Sequence, residues 1–110
     1  MKNISKFIVA ICLAIVFSSN SFAVETKSGV INEVKVFGEN NFAFRITFEG
    51  YPSMCSLNEN WAYIEVGDTN YSTKVSALLA AFSMGNNVTI YTEVSSRNHC
   101  HLKDIVSIKK

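Results

Sequence analysis

The sequence predicts a mainly β domain with one helix. Residues 71–84 carry large apolar side chains at helical spacing. The segments before and after alternate, or are rich in β-branched and aromatic residues, and clusters of Gly, Asn and Asp separate them. In the helical segment Tyr71, Val75, Leu78, Leu79 and Phe82 fall on one face and Ser72, Ser76 and Ser83 on the other. Asp68, Thr69 and Asn70 are available as N-caps, and Gly85 follows as a C′ residue able to take a positive φ. A charge at Leu79, central in that stripe, is expected to prevent folding.

The amino terminus is set apart. Lys2 and Lys6 form a positive region, residues 7–17 are apolar and uncharged, and Ser21-Phe22-Ala23 places small residues around a cleavage point. This is the layout of a secretory signal peptide, so residues 1–23 are expected to be removed and residues 24–110 to form one exported domain, periplasmic or secreted. The apolar run, about 11 residues, is shorter than the roughly 20 that a membrane span needs. A retained interfacial anchor is the alternative. Setting aside Lys2 and Lys6, eight basic side chains face nine acidic ones, a formal charge of −1. That balance provides no electrostatic footprint for nucleic acid.

Residues 24–27 are polar and expected to be loose. Residues 29–37 form a first strand, and 38–41 a turn. Residues 41–49 form a second strand, with Phe42, Phe44, Ile46 and Phe48 facing the core and Ala43, Arg45, Thr47 and Glu49 facing away. Residues 50–60, with the only proline, form a loop. Residues 61–66 form a third strand, with Trp61, Tyr63 and Glu65 opposite Ala62, Ile64 and Val66. After the helix, residues 88–94 and 102–108 give two more strands joined by a polar loop. The order β-β-β-α-β-β is that of a five-stranded OB-fold-like Greek-key barrel. An open antiparallel sheet with the helix across one face fits the same order, but leaves edges to protect.

Two cysteines remain after signal removal, Cys55 and Cys100, and in an oxidising compartment a disulfide is their simplest state. Closing a loop of about 45 residues stabilises by roughly 4 kcal/mol in the chain-entropy account. His99-Cys100-His101 with Cys55 has the residue types of a zinc site. An extended segment, however, sends the two histidines one way and Cys100 the other, so the expectation is no metal and no cofactor. No nucleophile elbow, positioned base or paired carboxylates occur at catalytic spacing, and the chain is not expected to be an enzyme. Tyr51, Trp61, Tyr63 and Tyr91 lie in or beside strands on the faces opposite the aliphatic residues, where a ring can stack on a sugar or enter a subunit interface. Asn70-Tyr71-Ser72 and Asn87-Val88-Thr89 match glycosylation sequons, which matter only in a eukaryotic secretory pathway.

Ser28-Gly29-Val30-Ile31, the Cys55-Ser56-Leu57 loop leading to Trp61, the block from Lys74 to Ala81 and the block from Gly85 to Tyr91 resemble one group of proteins. These are small exported bacterial proteins similar to the B subunit of subtilase cytotoxin and to pertussis-like toxin B subunits. The resemblance implies an OB-fold, pentameric assembly, binding of sialylated host glycans and an enzymatic A-subunit partner. It places Ser28 where a serine of the first strand contacts the sugar, with Trp61, Tyr63 and Tyr91 as further glycan-binding candidates. The chain departs from the toxin subunits in lacking their extra C-terminal cysteines and in having Thr92 where a second tyrosine would follow Tyr91. A monomeric periplasmic structural or inhibitory protein that binds another protein is the alternative function.

Overall fold

A computed structural model describes residues 24–110; the expected signal peptide lies outside the described residues. The elements are β1 (Glu25–Val36), β2 (Phe44–Phe48), β3 (Ala62–Ile64), α1 (Tyr71–Met84), β4 (Asn87–Val94) and β5 (Cys100–Lys109). The described residues are mainly β, with one five-stranded sheet and one helix in the expected order. The strand pairings close on themselves in the order β1-β2-β3-β5-β4, with β4 pairing back onto β1. All pairs are antiparallel except β3 with β5.

β1 begins at Glu25, where the sequence suggested a loose end. Residues 25–30 pair with β4, and residues 31–36 with β2, so one strand serves two neighbours in succession. The partner of its polar start lies more than half the chain away, beyond any local pattern. Between the two halves the register jumps from Ile31↔Phe48 to Glu33↔Thr47, leaving Asn32 as an extra residue. This bulge reverses the alternation. Before it Ser28 points out and Ile31 is buried; after it Val34 packs on the core and Lys35 is exposed. Gly29 lies against Phe48, where a Cβ would come within 2.8 Å of the ring, so that close approach requires glycine.

The core gathers Ile31, Phe44, Ile46, Phe48, Met54, Ala62, Ile64, Val88, Ile90 and Leu102 with the Cys55–Cys100 disulfide. That cross-link joins residues 45 apart, with a Cα–Cα distance of 5.6 Å. Buried Thr92 donates from Oγ1 to the Met54 carbonyl at 2.5 Å, which ties the loop after β2 to β4. Thr92 is therefore an interior residue.

α1 has the predicted bounds, and Gly85 closes it at φ 67° with its N–H directed to the Ala81 and Phe82 carbonyls. Asn70 precedes it with φ 58°, but its side chain makes no capping bond. The buried stripe is rotated from the expected one. Leu78 and Ala81 are buried, with Tyr71 and Val75 packed beside them, whereas Leu79 and Phe82 are 42% and 41% exposed. The small Ala81 sets the contact line against the sheet, and successive residues turn by about 100° around a helix, so the larger Leu79 and Phe82 are carried away from it. A charge at Leu79 is compatible with this fold, contrary to the expectation from spacing.

Phe42 also departs from the pattern. It takes φ 57° just before β2, which turns its ring away from the side of Phe44, Ile46 and Phe48 and onto Trp61 and Tyr63. A bulky residue in the left-handed region is uncommon and is maintained only by its surroundings. Among the described residues, no helix is long and apolar enough to cross a membrane.

Candidate functional site

Two outward faces of the ring hold the candidate residues. On the first, β1 and β4 pair so that Ser28 lies opposite Thr89 and Thr26 opposite Tyr91. Ser28 and Thr26 are exposed, Tyr91 is 37% exposed, and the Ser28 and Thr89 hydroxyls share a hydrogen bond of 2.8 Å. β5 adds exposed Asp104 across from Tyr91. The alternation of strand residues places the three hydroxyls, the phenol and the carboxylate on one side, while Val88 and Ile90 turn into the core. Such a surface offers hydroxyl donors and acceptors beside a partly open aromatic ring, the two elements a sugar ring engages.

The second face covers the junction of β3 and β5, whose pairing consists of one parallel bridge, Tyr63 to His101. One bridge supplies little backbone bonding, and side chains reinforce it. Glu59 Oε2 accepts the Cys100 N–H at 2.9 Å, and Glu59 Oε1 lies 2.6 Å from His99 Nδ1. Asp68 Oδ2 accepts the Glu65 N–H at 2.9 Å and lies 2.6 Å from His101 Nε2. The His101 ring stacks on Tyr63 at 4.8 Å with 9° between planes. Phe42 meets Tyr63 edge-on at 4.6 Å and His99 at 4.8 Å, and Trp61 lies 4.8 Å from His99. Arg97 approaches the Phe42 ring at 5.7 Å and pairs with Glu65 at 3.3 Å. Edge-to-face and offset contacts of this kind add about 1 kcal/mol each beyond area burial. The cluster is a side-chain seam over the weakest backbone junction.

The four glycan-binding candidates therefore divide. Ser28 and Tyr91 share the β1–β4 face as diagonal neighbours, whereas Trp61 and Tyr63 belong to the seam, across β2 on one side of the ring and β5 on the other. Tyr63 points away from the core residues Ala62 and Ile64, as the alternation predicts, yet is 1% exposed because the seam covers it. Burial pushes its phenol above the ordinary value. A hydrogen bond with the Ser95 side chain works the other way, Glu65 and Asp68 add to the rise, and Arg97 opposes it.

His99 and His101 project to one side of Cys100, as extended backbone dictates, and Cys100 turns inward to its disulfide. Among the described residues, no group of three or more His, Cys, Asp and Glu side chains is placed to hold a metal ion. The sequence reading missed Thr89, Glu59, Asp68 and Phe42. Alternation along β4 with Tyr91 could have found Thr89. The other three owe their roles to partners distant in sequence or to an unusual φ, neither of which leaves a local signal.

Comparison of the chain with family models, with curated proteins and with solved structures finds no match.

Proposed function

We propose that the protein is an exported, non-enzymatic binding module, an OB-fold-like Greek-key barrel that recognises a glycan through the β1–β4 face. The observation that carries this reading is the exposed Ser28–Thr89 hydroxyl pair beside Tyr91. The strands beneath are fixed by the core, so the hydroxyls are held in place before a sugar arrives, and little ordering accompanies binding. The parallel β3–β5 closure and the single helix between β3 and β4 support the barrel assignment. By resemblance to toxin B subunits, the sugar is a sialylated host glycan and the protein assembles into a pentamer that carries an A-subunit-like partner. The exposed Leu79 and Phe82, one turn apart on one side of α1, favour association with other copies.

A sialoglycan array probed with the protein and with Ser28→Ala tests the reading. Binding of the parent that is abolished by Ser28→Ala is expected; no signal above background at micromolar protein overturns it. Light scattering tests the assembly, for which the mass of several chains is expected. The mass of a single chain would favour the second reading, in which the same apolar helix side serves a monomeric periplasmic protein that binds another protein.

A further inference from the structure

Beside the seam, β1, β2 and β3 present a third outward patch. Lys35 lies opposite Arg45 and Arg45 opposite Tyr63; Glu33 lies opposite Thr47, and the same register continues from Thr47 toward Trp61. Glu33, Lys35, Arg45, Thr47 and Trp61 surround a cleft of about 190 Å³, which Tyr51 and Asn60 help to line.

Two groups in this cleft lack the partners their chemistry calls for. The Arg45 guanidinium lies 4.4 Å from the centre of the Phe37 ring and 4.5 Å from that of Trp61, and its Nε donates to the Phe42 carbonyl at 3.0 Å. It lines the cleft and takes part in no ion pair among the described residues, so none of their carboxylates holds its terminal nitrogens. Thr47 is 7% exposed, and its Oγ1, itself closed to solvent, has no hydrogen-bond partner among the described residues. Buried hydroxyls in folded proteins are nearly always paired. The only carboxylate lining the cleft, Glu33, is already taken by Lys35 at 3.7 Å, which leaves a net charge of one positive unit.

We propose that this cleft binds the carboxylate of a small organic acid. A planar carboxylate matches the fork of the Arg45 terminal nitrogens, and its second oxygen can accept from Thr47 Oγ1 once rotation about χ1 brings that buried hydroxyl to the cleft. The aromatic rings on either side of Arg45 hold the guanidinium in position before the ligand arrives. Tyr51, more than half exposed, and Trp61 flank the space that the body of the acid would fill. The volume, below the roughly 300 Å³ at which drug-sized pockets begin, selects an acid of about one ring. This site is separate from the β1–β4 face and stands or falls without the glycan reading.

The test is a titration of the ¹⁵N-labelled, disulfide-bonded protein with benzoate, and with benzamide as the neutral isostere, followed by amide and indole N–H shifts. Benzoate is expected to give saturable shifts confined to Arg45, Thr47, Tyr51 and Trp61, and benzamide none at the same concentration. Arg45→Lys, which keeps the charge but loses the fork, should weaken benzoate about tenfold. Thr47→Val, which is close in shape, should weaken it several-fold while the protein stays folded. Lys103→Gln removes a cation elsewhere on the surface and should change nothing. Equal shifts with benzamide, no saturation, or an unchanged benzoate affinity in Thr47→Val overturns the proposal.

Discussion

On the β1–β4 side of the ring, two strands pair residue for residue over six positions, and the backbone ladder supplies most of the connection, with the Ser28–Thr89 hydroxyl bond across it. On the β3–β5 side one parallel bridge joins the strands, and a disulfide, two histidine–carboxylate pairs and a stack of rings surround it. Where the backbone ladder is complete, outward side chains are free of structural duty and stay exposed. Where it is reduced to one rung, the outward side chains become the connection. Of these two sides, the one rich in aromatic and histidine residues binds itself, and the plainer hydroxyl face is the more open to a ligand.

Substitutions should separate the two sides by what they cost. The largest effect falls beneath the seam. Cys55→Ser and Cys100→Ser should each lower unfolding free energy by about 4 kcal/mol, with the double variant costing little more, as urea denaturation would measure. Additive losses would break the pairing. Next is Glu59→Ala, which removes the acceptor from the Cys100 N–H and the partner of His99, and should cost about 2 kcal/mol. A loss below half of that would mean the bridge needs no clamp. A smaller and pH-limited effect belongs to Tyr63. Its raised folded-state value favours the neutral phenol, so its contribution is complete below the unfolded value of 10.0 and is lost as pH rises toward the folded one. Stability of the parent should therefore fall above about pH 10 through this group, and Tyr63→Phe should flatten that alkaline limb. The smallest effects lie outside the seam: Ser28→Ala and Leu79→Asp should each stay within about 0.5 kcal/mol of the parent. A large loss from Ser28→Ala would make the β1–β4 face structural too and erase the contrast.

How much of this was legible before the fold was known follows from the range of each interaction. The bounds of α1 and the inward side of β2 from Phe44 onward are recorded in residues three or four, or two, apart. The helix's rotation is not, because apolar size suggests Leu79 and Phe82 while the sheet selects the small Ala81. The cysteine pair was readable from count and from the compartment that the signal-peptide layout led one to expect. Of the candidate sites, Ser28 and Tyr91 could be named singly, but their adjacency depends on a register between residues some sixty positions apart. Phe42 looked like one more inward aromatic; its positive φ is imposed by Trp61, Tyr63 and His99, and nothing in neighbouring residues announces it.

The extra residue at Asn32 has one more implication, for insertion and deletion. β1 is a single strand read in two frames, with even-numbered residues outward before Asn32 and odd-numbered ones after it. Removing Asn32 would shorten no loop; it would put both halves in one phase. With Asn32 gone, one alternation would run from Thr26 and Ser28 outward, through Ile31 inward, to Glu33 and Lys35 outward, so every side chain would keep its direction and only the local bend of the bulge would be lost. Asn32 is thus the position at which β1 can lose a residue without turning any other side chain over, whereas loss of Lys27, inside the β1–β4 ladder, would turn Thr26 inward and narrow the hydroxyl face.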